Sequence, residues 1–318
     1  MSRPIVTVCI VTCNQRDFIE TCVRSVADQK VDAELRVLVG DDVSNDGTSE
    51  IVERLAREYP RSVQYLHREQ RMGGFANMRD LISRAEGDFV ARVDGDDYWL
   101  PGKLQRQLSF LQANSDCAAV YTNAITIDEK GTRIGLFNDV GDGCFDLAAM
   151  LRRGNFLNNS SVLLRSRGRC AWLDIDGPQI DYRVHLWHAR QGWLGHIGEP
   201  LVAYRVNTQG SMVSGMNERV RELYWEAIQS IPRELVSEGD YAHGVADFLR
   251  RVFFRAVRTR QPQLFRAWRR RAIDASPWGA LRMDALTLAS IVRIAAKEIA
   301  GSFRRGTDGR RPRILYRR

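Results

Sequence analysis

The sequence has no long, uninterrupted apolar segment. Its most apolar stretch near the C-terminus, residues 285–303, contains Arg293, Lys297 and Glu298. Charges at this spacing exclude an ordinary transmembrane helix. We also expect no signal peptide, because an apolar run typical of a buried strand already begins at Ile5. A cytoplasmic protein is the expectation that follows.

Cysteine and histidine are scarce. Six cysteines and five histidines are scattered over 318 residues, with no CxxC pair and no histidine spaced as a zinc partner. This pattern excludes the common zinc-finger and thiol-redox motifs. Three of the cysteines lie in apolar segments, where a reduced cysteine behaves as a small hydrophobic residue. Reduced cysteines agree with a cytoplasmic location.

Acidic residues are few in the last quarter of the chain. Residues 241–318 hold 19 of the 47 Lys and Arg but 5 of the 39 Asp and Glu, and residues 248–271 mix arginine with aromatic side chains. Such a stretch suits an anionic membrane surface, so we predict peripheral association with the inner face of the cytoplasmic membrane. A helical appendage with a solvated basic face is the alternative. We expect no nucleic-acid partner, because the chain shows no nucleic-acid-binding module.

The order of apolar segments predicts an α/β fold. Four continuous apolar runs, each typical of a strand buried on both faces of a parallel sheet, alternate with amphipathic helical patterns. This alternation implies a parallel sheet with right-handed crossovers. The strands are predicted at residues 5–11, 35–39, 63–66 and 89–93.

Acidic and amide side chains follow three of these strands, at the edge of the sheet where ligands bind. The fourth strand ends in Asp94-Gly95-Asp96-Asp97. Carboxylates this close raise each other's pKa unless a cation neutralises them. Hard oxygen ligands of this kind suit Mg²⁺ or Mn²⁺, usually shared with the phosphates of a substrate. We therefore predict a diphosphate-binding site at this edge.

Three segments resemble the motifs of inverting family-2 glycosyltransferases with the GT-A fold. Residues 8–14 match an apolar run ending in T-x-N, residues 39–48 match D-D-x-S-x-D-G-T, and residues 93–101 contain the D-x-D-D segment. The order and spacing of the three motifs match as well, and together they are highly specific. The resemblance is strong over residues 4–112 and extends more weakly to Gly210.

This resemblance implies three regions. Residues 1–112 would bind the nucleotide sugar, residues 113–214 would bind the acceptor and complete the active site, and residues 215–318 would form a strongly basic helical region outside the resemblance. The implied architecture is a Rossmann-like, mostly parallel sheet flanked by helices, with the helical region as a C-terminal extension.

The resemblance also implies the nucleotide contacts. Asp42 would accept a hydrogen bond from the base, and Thr12 and Asn14 would form the first nucleotide-contacting loop. Arg71 lies in a loop where family members often place a nucleotide or phosphate contact, and Asn77 is a weaker candidate of the same kind. The residues alone leave simpler roles open: a turn residue for Asp42, a helix cap for Asn14 and a surface arginine at position 71.

Asp94 and Asp96 resemble the family's DxD pair. Asp96 would contact Mg²⁺ or Mn²⁺ directly, and Asp94 would address the ribose or the water shell of the metal. The metal would stabilise charge on the departing diphosphate. Asp97 would serve as a capping or supporting group. A solvated turn is the alternative reading of all three acids.

Asp181 matches the family's catalytic base, at the start of a helix predicted over residues 181–191. Ile180 stands where the family commonly has Glu, which removes the usual support of the base. Asp181 as a simple helix cap is the alternative. A Tyr204-Arg205 segment follows at the family's spacing, and its continuation to Ser211 resembles a loop that closes over the diphosphate.

Together these assignments predict a single displacement. Asp181 would take the proton of an acceptor hydroxyl, and the hydroxyl oxygen would attack the anomeric carbon and invert its configuration. The charge in the transition state would be similar to that in glycoside hydrolysis. The donor would be a nucleotide-diphosphate sugar, with a UDP-sugar favoured. The acceptor would be a glycan or a polyprenyl-linked molecule of bacterial cell-surface polysaccharide biosynthesis. Residues 155–161 fit an acceptor cleft and an ordinary loop equally well.

Two other functions fit part of the sequence. A metal-dependent nucleotidyltransferase also uses paired acids, but the usual Gly-rich loop with Lys or Arg is missing after the first strand. A non-catalytic scaffold that binds a sugar nucleotide or a lipid stays open because of Ile180.

Overall fold

Parallel strands form the part of the sheet that carries the sequence motifs. In the computed structural model, which describes residues 3–169, 173–175, 177, 180–206, 218–307 and 313–316, the strand order here is β3-β2-β1-β4 with parallel pairings. The carboxyl ends of β1, β2 and β4 therefore meet at one edge, as predicted. The strands are β1 (Ile5–Thr12), β2 (Glu34–Asp41), β3 (Val63–Leu66) and β4 (Phe89–Asp94).

Helices α1 (Arg16–Ala27), α2 (Thr48–Glu58) and α3 (Gly74–Arg84) connect these strands and bury their apolar faces against the sheet. A further helix, α4 (Lys103–Ala113), follows the acidic motif. Pro101 is not part of this helix, which begins at Lys103. Gly102 adopts a φ of +81°, a left-handed conformation that an α-helix cannot include.

The second part of the sheet is mixed, whereas the sequence predicted a mostly parallel sheet. β9 lies antiparallel between β4 and β6, and β6 and β7 form an antiparallel pair across a tight turn after Ile127. Short connections of this kind can join only antiparallel neighbours. The strands are β5 (Tyr98–Trp99), β6 (Cys117–Ile127), β7 (Arg133–Asn138), β8 (Gly143–Phe145), β9 (Leu163–Arg165) and β10 (Trp193–Arg205).

Two helices and a short 3₁₀ turn bring the second half of the chain to the edge of the sheet. They are α5 (Leu147–Arg153), the 3₁₀ turn Asn159–Ser161 and α6 (Asp181–Gln191). The helix predicted at residues 181–191 is confirmed. Beyond it, β10 lies parallel to β6.

The C-terminal region packs into the same hydrophobic core as the sheet. Trp225, Phe248 and Trp268 are buried, and their rings pack against one another in tilted and edge-to-face arrangements, in one cluster with Met150 and residues of the parallel strands. Its helices are α7 (Glu218–Gln229), α8 (Glu238–Thr259), α9 (Pro262–Asp274) and α10 (Ala280–Thr307), and a last strand, β11 (Arg313–Tyr316), pairs with β7. The sequence did not predict this strand. Part of the aromatic content assigned to a membrane surface thus belongs to the core.

The search for membrane-spanning helices covered the described part of the chain. None of its helices is both long and apolar enough to cross a bilayer.

Candidate active site

Hydrogen bonds join the loops that follow β1 and β2. The backbone N–H of Asp42 donates to the carbonyl of Thr12 (2.9 Å), and the N–H of Asn45 donates to Asn14 Oδ1 (2.9 Å). Asn14 has a φ of +53°, which asparagine tolerates better than most residues. The helix-cap alternative for Asn14 is wrong, because Gln15 occupies the cap position of α1. Thr12, Asn14 and Asp42 therefore lie together at the edge of the sheet.

The carboxylate of Asp42 fixes the loop between β3 and α3. It accepts hydrogen bonds from the backbone N–H groups of Met72 (2.6 Å) and Gly73 (2.8 Å). Arg71 is held beside it, because its guanidinium donates to the carbonyl of Val43 (3.2 Å). A carboxylate has about four lone-pair sites. The two loop contacts thus leave Asp42 with acceptor capacity for a ligand.

Asn77, the weaker candidate for a nucleotide contact, makes its hydrogen bonds inside the protein. It is fully buried, donates to the carbonyl of Gly40 (2.8 Å) and accepts from Arg68 (3.1 Å).

Gly95 allows the acidic loop to lie against the first nucleotide loop. A Cβ atom at this position would stand 2.5 Å from Gln15 Oε1 and 3.0 Å from Thr12 Oγ1. A larger residue would therefore displace the end of the Gln15 side chain and crowd Thr12, whereas glycine lets the two loops lie this close. This contact places Asp94 and Asp96 next to Thr12.

The three acids of the motif have different surroundings. Asp97 is buried and accepts hydrogen bonds from Ser160 Oγ (2.5 Å) and the backbone N–H of Arg205 (2.8 Å). Its pKa is well above the usual range because of burial and the nearby charges of Asp96 and Asp94. Asp97 is thus a supporting group, while Asp94 and Asp96 are partly exposed at the edge of the sheet.

Arg205, near the end of β10, braces the acidic loop from the other side. Its guanidinium donates to the carbonyl of Asp96 (3.0 Å) and lies over the ring of Phe18, 4.2 Å from the centroid. Most of the segment predicted to close over the diphosphate, residues 207–211, lies outside the described residues.

Arg92 joins the two carboxylates that the sequence assigned to donor and acceptor. It is buried on β4, forms an ion pair with Asp94, and its Nη1 lies 3.8 Å from Asp181 Oδ1. Sequence reasoning missed this residue. The available signal was an arginine inside the apolar run of a strand buried on both faces, since a buried charge needs a partner.

Asp181 is the first residue of α6, and its carboxylate accepts a hydrogen bond from Asn159 Nδ2. Surrounding protein raises the pKa of Asp181 above its usual value, and the charge of Arg92 opposes this rise. Its side chain is nevertheless 51% exposed, because it faces an open cavity, and access to water limits the rise. A carboxylate with a moderately raised pKa and access to a ligand is suited to act as a base.

The 3₁₀ turn links the acids of the motif to Asp181. Sequence reasoning also missed this link. Asn159 holds Asp181, and Ser160 Oγ contacts both Asp97 and Asp94. The indole N–H of Trp99 donates to the carbonyl of Ser160 (2.9 Å), which fixes the turn. The segment that fitted an acceptor cleft or an ordinary loop therefore connects the two halves of the site.

Asp94 and Asp181 line one cavity of about 620 Å³. Its walls combine the 3₁₀ turn with side chains of α7, α8 and β11. The size is typical of a pocket for a small organic ligand. Within the described residues, no three His, Cys, Asp or Glu side chains are grouped to hold a metal ion. A metal at this site would therefore take most of its ligands from a substrate.

The family model of Glycosyl transferase family 2 matches residues 7–160, from β1 through the acidic loop to the 3₁₀ turn. Over these residues the chain is similar to Glycosyl transferase family 2. Its glycosyltransferase motifs are thus the loops that the structure brings together around Thr12, Asp42 and Asp94.

The matches between this chain and its curated relatives cover part of each relative's length. An uncharacterized protein of Mycobacterium tuberculosis is 28% identical over 215 residues, which are 67% of this chain and 61% of the relative. The GalNAc(5)-diNAcBac-PP-undecaprenol beta-1,3-glucosyltransferase of Campylobacter jejuni is 28% identical over 138 residues, 43% of each chain. The chain therefore spans about six-tenths of the first relative and less of the second.

Solved structures share the fold over most of the chain. S. aureus TarS 1-349 in complex with UDP-GlcNAc superposes with a TM-score of 0.68 at 20% identity, covering 95% of this chain and 92% of TarS. The mannosyltransferase PcManGT from Pyrobaculum calidifontis, in complex with GDP-Man and Mn²⁺, gives 0.55 at 19% identity, covering 92% and 81%. The predicted GT-A fold is confirmed.

Proposed function

We propose that this chain is an inverting glycosyltransferase that moves a sugar from a nucleotide-diphosphate sugar to an acceptor hydroxyl. The observation that carries the proposal is the arrangement of Asp94 and Asp181 on one cavity, joined by Arg92 and the 3₁₀ turn. A donor held at the sheet edge and an acceptor held in the cavity would meet between these carboxylates.

The donor site is proposed at the hydrogen-bonded loops that follow β1 and β2. Thr12, Asn14, Asp42 and Arg71 would surround the nucleoside, and Asp94 would address the ribose or the water shell of a metal. The structural neighbours were solved with UDP-GlcNAc and GDP-Man, which supports a nucleotide sugar as the donor. We favour a UDP-sugar.

Asp96 is the residue that would hold Mg²⁺ or Mn²⁺ together with the donor phosphates. Burial is the main cause of the raised pKa of Asp97, and the charges of Asp96 and Asp94 add to it; a cation at Asp96 would offset these charges. One protein carboxylate plus substrate phosphates is a common way to hold Mg²⁺. When bound, the metal would stabilise charge on the departing diphosphate.

Asp181 would accept the proton of the attacking hydroxyl. Asn159 and Arg92 orient its carboxylate, and they provide the support that Ile180, in place of the family's Glu, cannot give. Ile180 packs against the hydrophobic core beside the cavity. This arrangement favours a catalytic role over the non-catalytic scaffold.

The acceptor is proposed to be a glycan or a polyprenyl-linked molecule of bacterial cell-surface polysaccharide biosynthesis. The printed name of the Campylobacter relative includes an undecaprenol diphosphate, which supports this class.

A donor screen tests the function. We expect nucleoside diphosphate release from one of a panel of UDP- and GDP-sugars, raised by a matching acceptor, and a product of inverted anomeric configuration by ¹H NMR. Release of inorganic diphosphate would instead indicate a nucleotidyltransferase. Retention of configuration, or no nucleotide binding by calorimetry, would contradict the proposal.

Peripheral binding to the inner face of the cytoplasmic membrane is proposed through α10. Four large apolar side chains on this helix are exposed, and their spacing of seven, four and seven residues places them on one face. Arg293 and Lys297 are exposed on the same helix. The apolar residues are Leu281 (89%), Leu288 (61%), Val292 (58%) and Ile299 (58%).

We expect the wild type to float with anionic liposomes and the Leu288→Glu, Val292→Glu variant to stay in the soluble fraction, because a charge on the inserted face opposes burial. Leu235→Glu, on an exposed side chain away from α10, is the matched control and should float. Equal flotation of all three proteins would end the membrane proposal.

A further inference from the structure

The wall of the cavity that faces Asp181 is rich in arginine. Five arginines of α7 and α8 are among the described residues that line it, whereas the lining acids are Asp94 and Asp181. Both of these acids already lie close to Arg92. The arginines are Arg221, Arg250, Arg251, Arg255 and Arg258.

Three of these arginines form a row along α8. Arg251, Arg255 and Arg258 are four and three residues apart, so their side chains lie on one face of the helix. The buried carboxylate of Asp247 accepts hydrogen bonds from Arg250 and from Arg251 Nε (2.8 Å), and thereby anchors the start of the row. Arg255 and Arg258 lie two and three turns beyond Asp247.

Other contacts fix the row relative to the active site. The guanidinium of Arg251 lies over the ring of Tyr224, 5.0 Å from its centroid. Tyr224 Oη in turn accepts a hydrogen bond from the backbone N–H of Asn155 (2.9 Å), just before the 3₁₀ turn that holds Asp181. The positive wall and Asp181 are therefore parts of one connected structure.

The chemistry of the wall indicates a particular ligand. Guanidinium groups match phosphate oxygens in a bidentate fork and keep their charge when partly buried. One carboxylate, such as that of a uronic acid, would neutralise a single arginine, whereas a diphosphate or a phosphodiester chain brings several charges. Several arginines beside a single anchoring Asp247 therefore suit phosphate better than carboxylate.

We propose that the acceptor carries a phosphodiester or diphosphate group, which Arg251, Arg255 and Arg258 bind while the acceptor hydroxyl lies at Asp181. This inference rests on the proposed function, because it assigns the cavity to the acceptor. Apolar side chains on the same wall, including Phe254 and Leu315, would contact the uncharged part of that molecule. The donor diphosphate stays at Asp94 and Asp96.

Calorimetric titration with inorganic pyrophosphate in EDTA tests the anion site, since chelation removes metal-dependent binding at Asp96. We expect the Arg255→Gln, Arg258→Gln variant to bind at least about tenfold more weakly than wild type, because charge-assisted hydrogen bonds are lost. The control Arg266→Gln, Arg270→Gln removes two exposed arginines of α9 that do not line this cavity. It should bind like wild type.

A thermal melt shows whether the double variant folds, and Arg258→Gln alone, a change at an exposed residue, gives a second measurement with the same expected direction. UDP binding with Mn²⁺ should be unchanged in the arginine variants. Loss of UDP binding there would assign the arginines to the donor and overturn the inference. No pyrophosphate binding by the wild type, or equal binding by all variants, would overturn it as well.

A second titration separates the two sources of phosphate. Tighter binding of pyrophosphate than of glycerophosphoglycerol supports a diphosphate-linked acceptor, and the reverse order supports a phosphodiester polymer. These readouts do not require catalysis. A failed donor screen with arginine-dependent anion binding would therefore contradict the transferase and not the anion site.

Discussion

Asp181→Asn is expected to lower kcat for sugar transfer by about 10²–10⁴-fold, the range that a general base contributes. The amide keeps the shape of the side chain and its contact with Asn159, but it cannot accept the proton of the acceptor hydroxyl. Nucleotide binding should be unchanged, because Asp181 lies on the cavity side of Arg92. The measurement is nucleoside diphosphate release, together with calorimetric titration of UDP in the presence of Mn²⁺.

Asp274→Asn is the matched control, since Asp274 is exposed at the end of α9. It should retain full activity. Unchanged release by Asp181→Asn would mean that the base lies elsewhere and would return Asp181 to the role of a helix cap.

The expected pH dependence of activity follows from the ionisation of Asp181. Burial raises the pKa of Asp181, Arg92 opposes the rise, and the base is active only when ionised. Activity of the wild type should therefore fall as pH drops through this raised pKa, at a higher pH than for an ordinary aspartate. The residual activity of Asp181→Asn should lack this acid limb.

Asp96→Asn should reduce transfer at least about 100-fold and abolish its stimulation by Mg²⁺ or Mn²⁺, because the charge stabilisation expected of a metal amounts to several kcal/mol. The variant should fold normally, since Asp96 is only partly buried, the amide keeps the size of the side chain, and the backbone carbonyl that accepts from Arg205 is unchanged. Activity is measured over a Mn²⁺ titration after treatment with EDTA.

Asp274→Asn serves again as the control and should show the metal response of the wild type. A wild type that is fully active in EDTA would contradict the metal proposal itself. Metal stimulation that survives in Asp96→Asn but is lost in Asp94→Asn would move the metal ligand to Asp94.

The arrangement of the loops that we propose to bind the donor could be predicted because its information is local in sequence. Each strand is an apolar run, each loop follows its strand directly, and the parallel pairing of β1, β2 and β4 brings Thr12, Asp42 and Asp94 to one edge. Asp97 also differs from Asp94 and Asp96 in its surroundings, as expected.

The acceptor half could not be predicted in the same way. Asn159 and Ser160 reach the acids because β9, which follows them, inserts antiparallel between β4 and β6. These pairings join residues between 43 and 76 positions apart, and no local pattern specifies them. The role of Arg92 depends on the same arrangement, so the sequence offered only the anomaly of a charge in an apolar strand.

Composition was a poor guide to the C-terminal region. Its aromatic and arginine residues fitted a membrane surface, but Phe248 and Trp268 needed the buried Trp225 as a partner, which is visible only after folding. The exposed apolar face lies instead on α10.

The core shared by the sheet and the C-terminal helices determines what can be separated from this enzyme fold. One hydrophobic cluster contains Cys9 and Leu38 of the sheet together with Trp225 and Phe248. A chain cut before α8 would lose Phe248, uncover Trp225, which packs on it, and lose the arginine row as well. The helical region is therefore not a detachable module, and an acceptor preference built into α8 could be exchanged between relatives only by replacing surface side chains, never by swapping the whole segment.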